Sequence, residues 1–325
     1  MNRVHHVPEA LTPARSLSIP LRPWGGESLP SYVARLAHAN RIPHTALWRY
    51  IGVPHRAGAS STILPWEATL NQPAVARLAV MSGIPVERLR KALPALSWST
   101  REASALPADV PAFWMRQAHS PNAVICRQCT LRRGIRTGIR AHLALPDIVC
   151  HRHHIWQAPE PWDVSGVPEI ERAQRKLRNF QKTHGSHVMV CCIRDARWII
   201  GGWASTPSPE PLFEELWRSR RKRLGLPSWF RSWDLTTHIM AHPEVVTLAC
   251  ALVPIYLDTG YFQRPGFLEW KFKADLRVRL GLDPQRQPTG DPINKFIYTV
   301  QTDRARWRNP KSAMITETAT PRTAQ

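Results

Sequence analysis

Four residues constrain this chain more tightly than any others. Cys126-Arg127-Gln128-Cys129 and Cys150-His151-Arg152-His153 are two ligand pairs, each with two residues between its members, and twenty residues separate Cys129 from Cys150. A Cys-x-x-Cys turn aims both sulfurs at one point, and the second pair completes a tetrahedron of three thiolates and one imidazole. Soft sulfur donors with a single imidazole favour Zn2+ in a closed, non-redox site. No coordination position is left for an activated water, so the single metal expected here is structural. His151 and His154 flank His153 and are alternative fourth ligands. Such a site contributes about 10–16 kcal/mol of apparent folding free energy in small zinc peptides, enough to order a segment otherwise too rich in arginine to fold.

The segment between the ligand pairs carries Arg132, Arg133, Arg136 and Arg140, with Arg127 and Arg152 inside the pairs and Asp147 as the one acid. A dense cationic loop held rigid by a metal is a phosphate-contacting surface. Composition agrees. The 325-residue chain has 44 Lys and Arg against 24 Asp and Glu, a formal net charge of +20. That imbalance calls for a polyanionic partner, because each phosphate contact releases condensed counterions. No apolar run approaches the ~20 residues that a membrane-spanning helix needs. The first twenty residues lack a charged-apolar-small secretory pattern, and the cysteine placement suits metal chemistry in a reducing compartment, so the cytoplasm, in association with the nucleoid, is the expected location.

A second constraint is an internal repeat. Val33-Ala34-Arg35-Leu36-Ala37, Ile42-Pro43 and Leu47 recur as Val75-Ala76-Arg77-Leu78-Ala79, Ile84-Pro85 and Leu89, each offset by 42 residues (75 minus 33). The spacing within each copy is a helix, a tight turn and a second helix. Ser28 caps the first helix with Pro30 in its first turn, Asn40 stops it, and the next helix runs from His44 to Ile51 and is ended by Gly52. Each hairpin is helix-turn-helix-like, a form whose second helix can meet DNA. Arg88, Arg90 and Lys91 supply charge in the second copy, and His44, Thr45, Trp48 and Arg49 stand in the first.

The chain divides into a flexible lead-in (1–16), the two hairpins (17–96), a Ser-, Ala- and Pro-rich connector (97–122), the zinc knuckle (123–160), a mainly helical C-terminal domain (161–307) and a disordered tail (308–325). Within the C-terminal domain, Glu169 to Lys182 reads as a basic helix. A helix starts at Ser208-Pro209 and ends at Gly225, and further helix starts lie at Pro243 and at Asp291-Pro292. Phe267 to Leu280 is amphipathic and stopped by Gly281. Val188 to Trp203, apolar with a break at Arg194-Asp195-Ala196, reads as a small β-hairpin, although short apolar runs are shared by strand and helix. Cys191, Cys192 and Cys250 have no ligand partner at useful spacing and read as buried small apolar residues. The fold class expected is mainly α.

The residues Pro23-Trp24-Gly25-Gly26-Glu27-Ser28-Leu29-Pro30-Ser31-Tyr32-Val33-Ala34-Arg35-Leu36-Ala37, then Cys126, Cys129, Val149-Cys150 and His153, resemble the TniQ family of transposition target-selection proteins. The resemblance covers roughly residues 17–160. It departs from the family pattern at Arg127, where Pro is common, and at His154, where a small residue is common. The second zinc knuckle of some members is missing, since Ile155 to Pro159 continues without Cys. The chain from about residue 165 resembles no known family. The resemblance implies a non-catalytic adaptor that links target DNA, or an RNA-guided complex, to an AAA+ transposition regulator and through it to the transposase.

Two other classes compete. A DNA-rearranging enzyme needs clustered carboxylates for paired metals, but Asp147, Asp163, Asp195, Asp234 and Asp258 are scattered. The His38-x-x-Arg41 pair that would suit a tyrosine recombinase lies inside the repeat. There is no Gly-x-x-x-x-Gly-Lys loop for ATP. The other competitor is a stand-alone zinc-containing helix-turn-helix transcriptional regulator.

Overall fold

The computed structural model describes residues 14–52, 68, 70–98, 119–157, 161–205, 211–226, 239–258, 261–286 and 290–302. Most of the expected lead-in, the centre of the connector, Ser208-Pro209 and the tail lie outside the described residues. The protein is mainly helical, with two small antiparallel sheets. It divides into two compact units. One is built on the N-terminal helices with the 119–144 hairpin, and the other gathers residues 145–156 and the chain from 162 onward.

In the first unit, α1 (Leu29–Ala39), α2 (His44–Ile51), α3 (Gln72–Ser82) and α4 (Val86–Ala92) form the two hairpins, followed by the short α5 (Ala95–Trp98). The helix starts follow capping chemistry: Ser28 Oγ accepts from Ser31 N, and Asn71 Oδ1 accepts from Ala74 N at 3.0 Å. The repeat extends to the backbone. Ile42 N donates to Ala37 O at 2.9 Å and Ile84 N donates to Ala79 O at 3.2 Å, bonds offset by the same 42 residues. The residue before each Ile-Pro step is left-handed, Gly83 at φ 68° and, in the matching place, Arg41 at φ 54°. Val33, Leu36 and Leu47 are buried with their counterparts Val75, Leu78 and Leu89 in one apolar cluster.

Strand β1 (His119–Val124) pairs antiparallel with β2 (Arg140–Ala144) around the short α6 (Arg127–Leu131). β1 begins inside the stretch that sequence assigns to a connector. Its sequence, His-Ser-Pro-Asn-Ala-Val, lacks alternation and holds a proline, so only its partner strand reveals it. Glu27 forms a bridge to Ala141, Ser28 N donates to Arg140 O and His142 N donates to Gly26 O. The Gly-Gly-Glu-Ser segment thus lies along the free edge of β2. Gly26 is required there twice over: its φ is 80°, and a Cβ would stand 2.9 Å from His142 O.

The second unit holds β3 (Val149–Cys150), β4 (Ile155–Trp156) and β5 (Trp162–Asp163) in one sheet. Its helices are α7 (Pro168–Ser205, broken at Gly185), α8 (Pro211–Arg223), α9 (His242–Leu257), α10 (Glu269–Arg279) and α11 (Pro292–Thr302). The β-hairpin expected over Val188–Trp203 is corrected: this stretch is the second half of α7. The buried residues Met189, Cys192, Ile193, Ala196, Ile199, Ile200 and Trp203 recur at intervals of three and four, a helical stripe that packs against Val245, Val246, Leu248, Ala249 and Leu252 of α9. The supposed break, Arg194-Asp195, is a helical ion pair whose Asp195 also accepts from Tyr256 on α9. Cys191 and Cys192 sit on this apolar stripe. Burial pushes the Cys191 thiol up to about 11 and that of Cys192 higher still, so both are inert core residues. No helix among the described residues is long and apolar enough to cross a membrane.

Candidate metal centre and cationic surface

The ligand atoms of Cys126, Cys129, Cys150 and His153 all lie within 4.8 Å of one another, a group that could hold a metal ion. Cys126 caps α6 and Cys129 lies within it, one helical turn apart. In the second pair, β3 ends at Cys150 and a turn in which His153 N donates to Cys150 O brings the ring back. Cys150 Sγ and His153 Nδ1 are 3.6 Å apart. Metal bonds of about 2.3 Å to sulfur and about 2.0–2.1 Å to nitrogen, at the tetrahedral angle, place such atoms about 3.6 Å apart, so the second pair already has the edge length of a zinc tetrahedron. Behind the first pair, the buried Gln157 accepts from Cys126 N through Oε1 at 2.8 Å and fixes the start of α6.

The neighbouring histidines have other surroundings. His154 has a left-handed backbone and its Nδ1 is engaged by Glu171. His151 has a buried Nε2 with no hydrogen-bond partner among the described residues, and burial lowers its pKa. The structure gathers His153, and neither neighbour, with the three thiols.

Arg127, Arg132, Arg133, Arg136 and Arg140 are all exposed, as are Arg88 and Lys91 on α4. The guanidinium of Arg133 lies 4.2 Å from the ring centroid of Trp24, so this arginine is held in place by stacking while its N–H groups remain available. Trp24 itself packs on Ile125, Ile139 and Ala141 of the β-hairpin. Arg140 belongs to a groove of about 520 Å3 that it lines with Ser31, Ala34, His38, His44 and Thr137. The groove brings the edge of β2 beside α1 and the first residue of α2. Arg90 behaves differently from its neighbours: it is half-buried, bonded to Gln72 and paired with Glu87.

Sequence reasoning missed the group that organises this surface. Glu27 is fully buried and accepts from Arg35 Nε and Nη2, both at 2.7 Å, from Ser31 Oγ at 2.9 Å and from Trp24 N at 2.9 Å. Ser31 Oγ in turn accepts from Arg140 N at 3.0 Å. The signal was present as an acid eight residues before an arginine on the apolar face of α1. Its repeat counterpart Arg77 is only half-buried and bonds Tyr50 O.

These features define a class: a duplicated helical-hairpin domain docked on a β-hairpin, with a three-cysteine, one-histidine cluster able to hold a metal. Residues 19–156, a little under half of the chain, match the family model described as TniQ, so this stretch is similar to that family. No curated protein and no solved structure matches the chain. The matched stretch ends at Trp156, leaving most of the second unit outside it.

Proposed function

We propose that the protein is a non-catalytic, DNA-binding adaptor for target-site selection in transposition, linking target DNA to an AAA+ regulator that recruits the transposase. The match of residues 19–156 to the TniQ family model supports transposition as the process. The observation that carries DNA binding is the exposed row Arg127, Arg132, Arg133, Arg136 and Arg140, presented by a hairpin that the Glu27 segment and the Cys/His cluster brace from two sides. Braced donors lose less conformational entropy on binding than donors on a loose loop.

The metal of this reading is one structural Zn2+ held by Cys126, Cys129, Cys150 and His153. Three thiolates and an imidazole suit zinc, which here supplies rigidity and no chemistry. Phosphate contacts set position without reading sequence, so the knuckle anchors the duplex, with Arg88 and Lys91 on α4 as further contacts. An RNA-guided complex is an alternative supplier of target choice. Fluorescence anisotropy with several unrelated duplexes tests the proposal. Binding should be similar on all of them and fall when the metal is stripped by a chelator. Tight binding that survives complete removal of the metal would overturn it.

A further inference from the structure

Several well-buried or partly buried arginines of the described residues are matched to acids. Arg35 is clamped by Glu27, Arg220 by Glu244 and Glu169, Arg277 by Asp291, and Arg194 by Asp195. Arg197 breaks the pattern. It lies half-buried on α7, and among the described residues no hydrogen bond or ion pair engages it. Desolvation alone lowers its pKa to about 10. A half-buried guanidinium with no partner among the described residues is open to an anion from outside, which would offset its partial desolvation.

The surroundings of Arg197 are built to admit one. It lines an open groove of about 450 Å3 with Trp198, Lys295 and the glycines 201, 202 and 290. No carboxylate of the described residues lines this groove. Asp291, next to it in sequence, is turned onto Ile293 N, Trp203 Nε1 and Arg277. Gly202 lies so close to α11 that a Cβ would stand 2.5 Å from Pro292 Cγ, so bare backbone lies where α7 meets α11. Trp198 is 43% exposed, a large indole left in solvent, and Lys295 Nζ sits 5.6 Å from its ring centroid.

We propose that this groove between α7 and α11 binds an unpaired nucleotide of a single nucleic-acid strand, its phosphate on Arg197 and Lys295 and its base against Trp198. Phosphates of a regular duplex lie on a convex surface and do not enter a recess to reach Arg197, whereas an unstacked nucleotide does. An aromatic face beside paired cations is the arrangement by which proteins hold single strands without reading sequence. The site lies outside the TniQ-matched stretch and is independent of the arginines proposed for duplex binding.

The test uses the full-length protein, a fluorescent oligothymidylate, a duplex of the same length, and polyglutamate as a competitor. Arg197→Gln and Trp198→Ala should each weaken oligothymidylate binding by about tenfold and leave duplex binding unchanged. Arg197→Gln removes an uncompensated charge, so its thermal midpoint should equal or exceed that of the wild type. Oligothymidylate should raise the wild-type midpoint and not that of the variant. Unchanged single-strand affinity in Arg197→Gln would overturn the proposal. So would polyglutamate that protects the groove as well as the oligonucleotide does, since that identifies an acidic protein surface as the occupant.

Discussion

Replacing Glu27 with Gln changes almost no volume but removes the charge that Arg35 was buried to meet. The carboxylate accepts four hydrogen bonds, two of them from the Arg35 guanidinium, with Glu27 fully buried and Arg35 3% exposed. The amide keeps one acceptor oxygen and turns two donors toward groups that are themselves donors. Breaking one side of a buried ion pair costs about 3–5 kcal/mol, whereas replacing both partners with apolar residues is often close to neutral. Against a total stability of about 5–15 kcal/mol for an ordinary domain, the single change should severely weaken the first unit. Glu27→Leu combined with Arg35→Met should recover most of the loss. Urea unfolding followed by circular dichroism gives the magnitudes. Hydrogen exchange localises them, and protection should drop together in α1 and at Arg140 and His142 of β2, whose amides bond to Ser31 and Gly26. A loss below about 1 kcal/mol, the worth of one ordinary hydrogen bond, would refute the clamp. Loss of protection in α1 alone would refute its coupling to β2.

Other consequences can be checked separately. Arg41→Gly should stabilise the first hairpin and Gly83→Ala should destabilise the second, each by about 1 kcal/mol, because both positions are left-handed; a thermal midpoint lowered by Arg41→Gly or raised by Gly83→Ala would show that the two turns are not equivalent. The Gly83 change meets no atom within 4 Å, so crowding cannot account for its effect. Metal analysis of the purified protein should find about one zinc per chain. Cys129→Ser and His153→Ala should lose it while His154→Ala keeps it, and retention of zinc by His153→Ala would assign the fourth ligand elsewhere.

The sequence exposed what local chemistry decides. α1 and α2 were legible to their ends because Ser28, Pro30, Asn40 and Gly52 are capping and stopping residues. The Cys/His cluster was legible because ligand spacing is itself local. What stayed hidden depends on partners distant in sequence. β1 carries no strand signal of its own and exists through β2, 16 residues beyond its last residue. The edge pairing of Gly26 to Ser28 with β2 joins segments more than 110 residues apart, and nothing in either segment announces the other. The second half of α7 was misread because Arg194-Asp195 looks like a turn until Tyr256 of α9 is seen to accept from Arg194 and donate to Asp195. Glu27 was noticed as part of a motif, while its burial against Arg35 appears only once α1 is placed over the β-hairpin.

The central claim is that the arginines beside the Cys/His cluster hold DNA by its phosphates, and salt dependence measures that most directly. Each neutralised phosphate contributes about −0.9 to the slope of log K against log salt on duplex DNA. Arg132 and Arg136 are exposed and, unlike Arg133, are not stacked on Trp24, so their removal leaves the packing of the hairpin intact. The Arg132→Ala, Arg136→Ala double variant should flatten the slope by about two units and weaken every duplex alike. An unchanged slope, with zinc content and fold intact, would contradict the account and move the DNA-binding surface away from the knuckle.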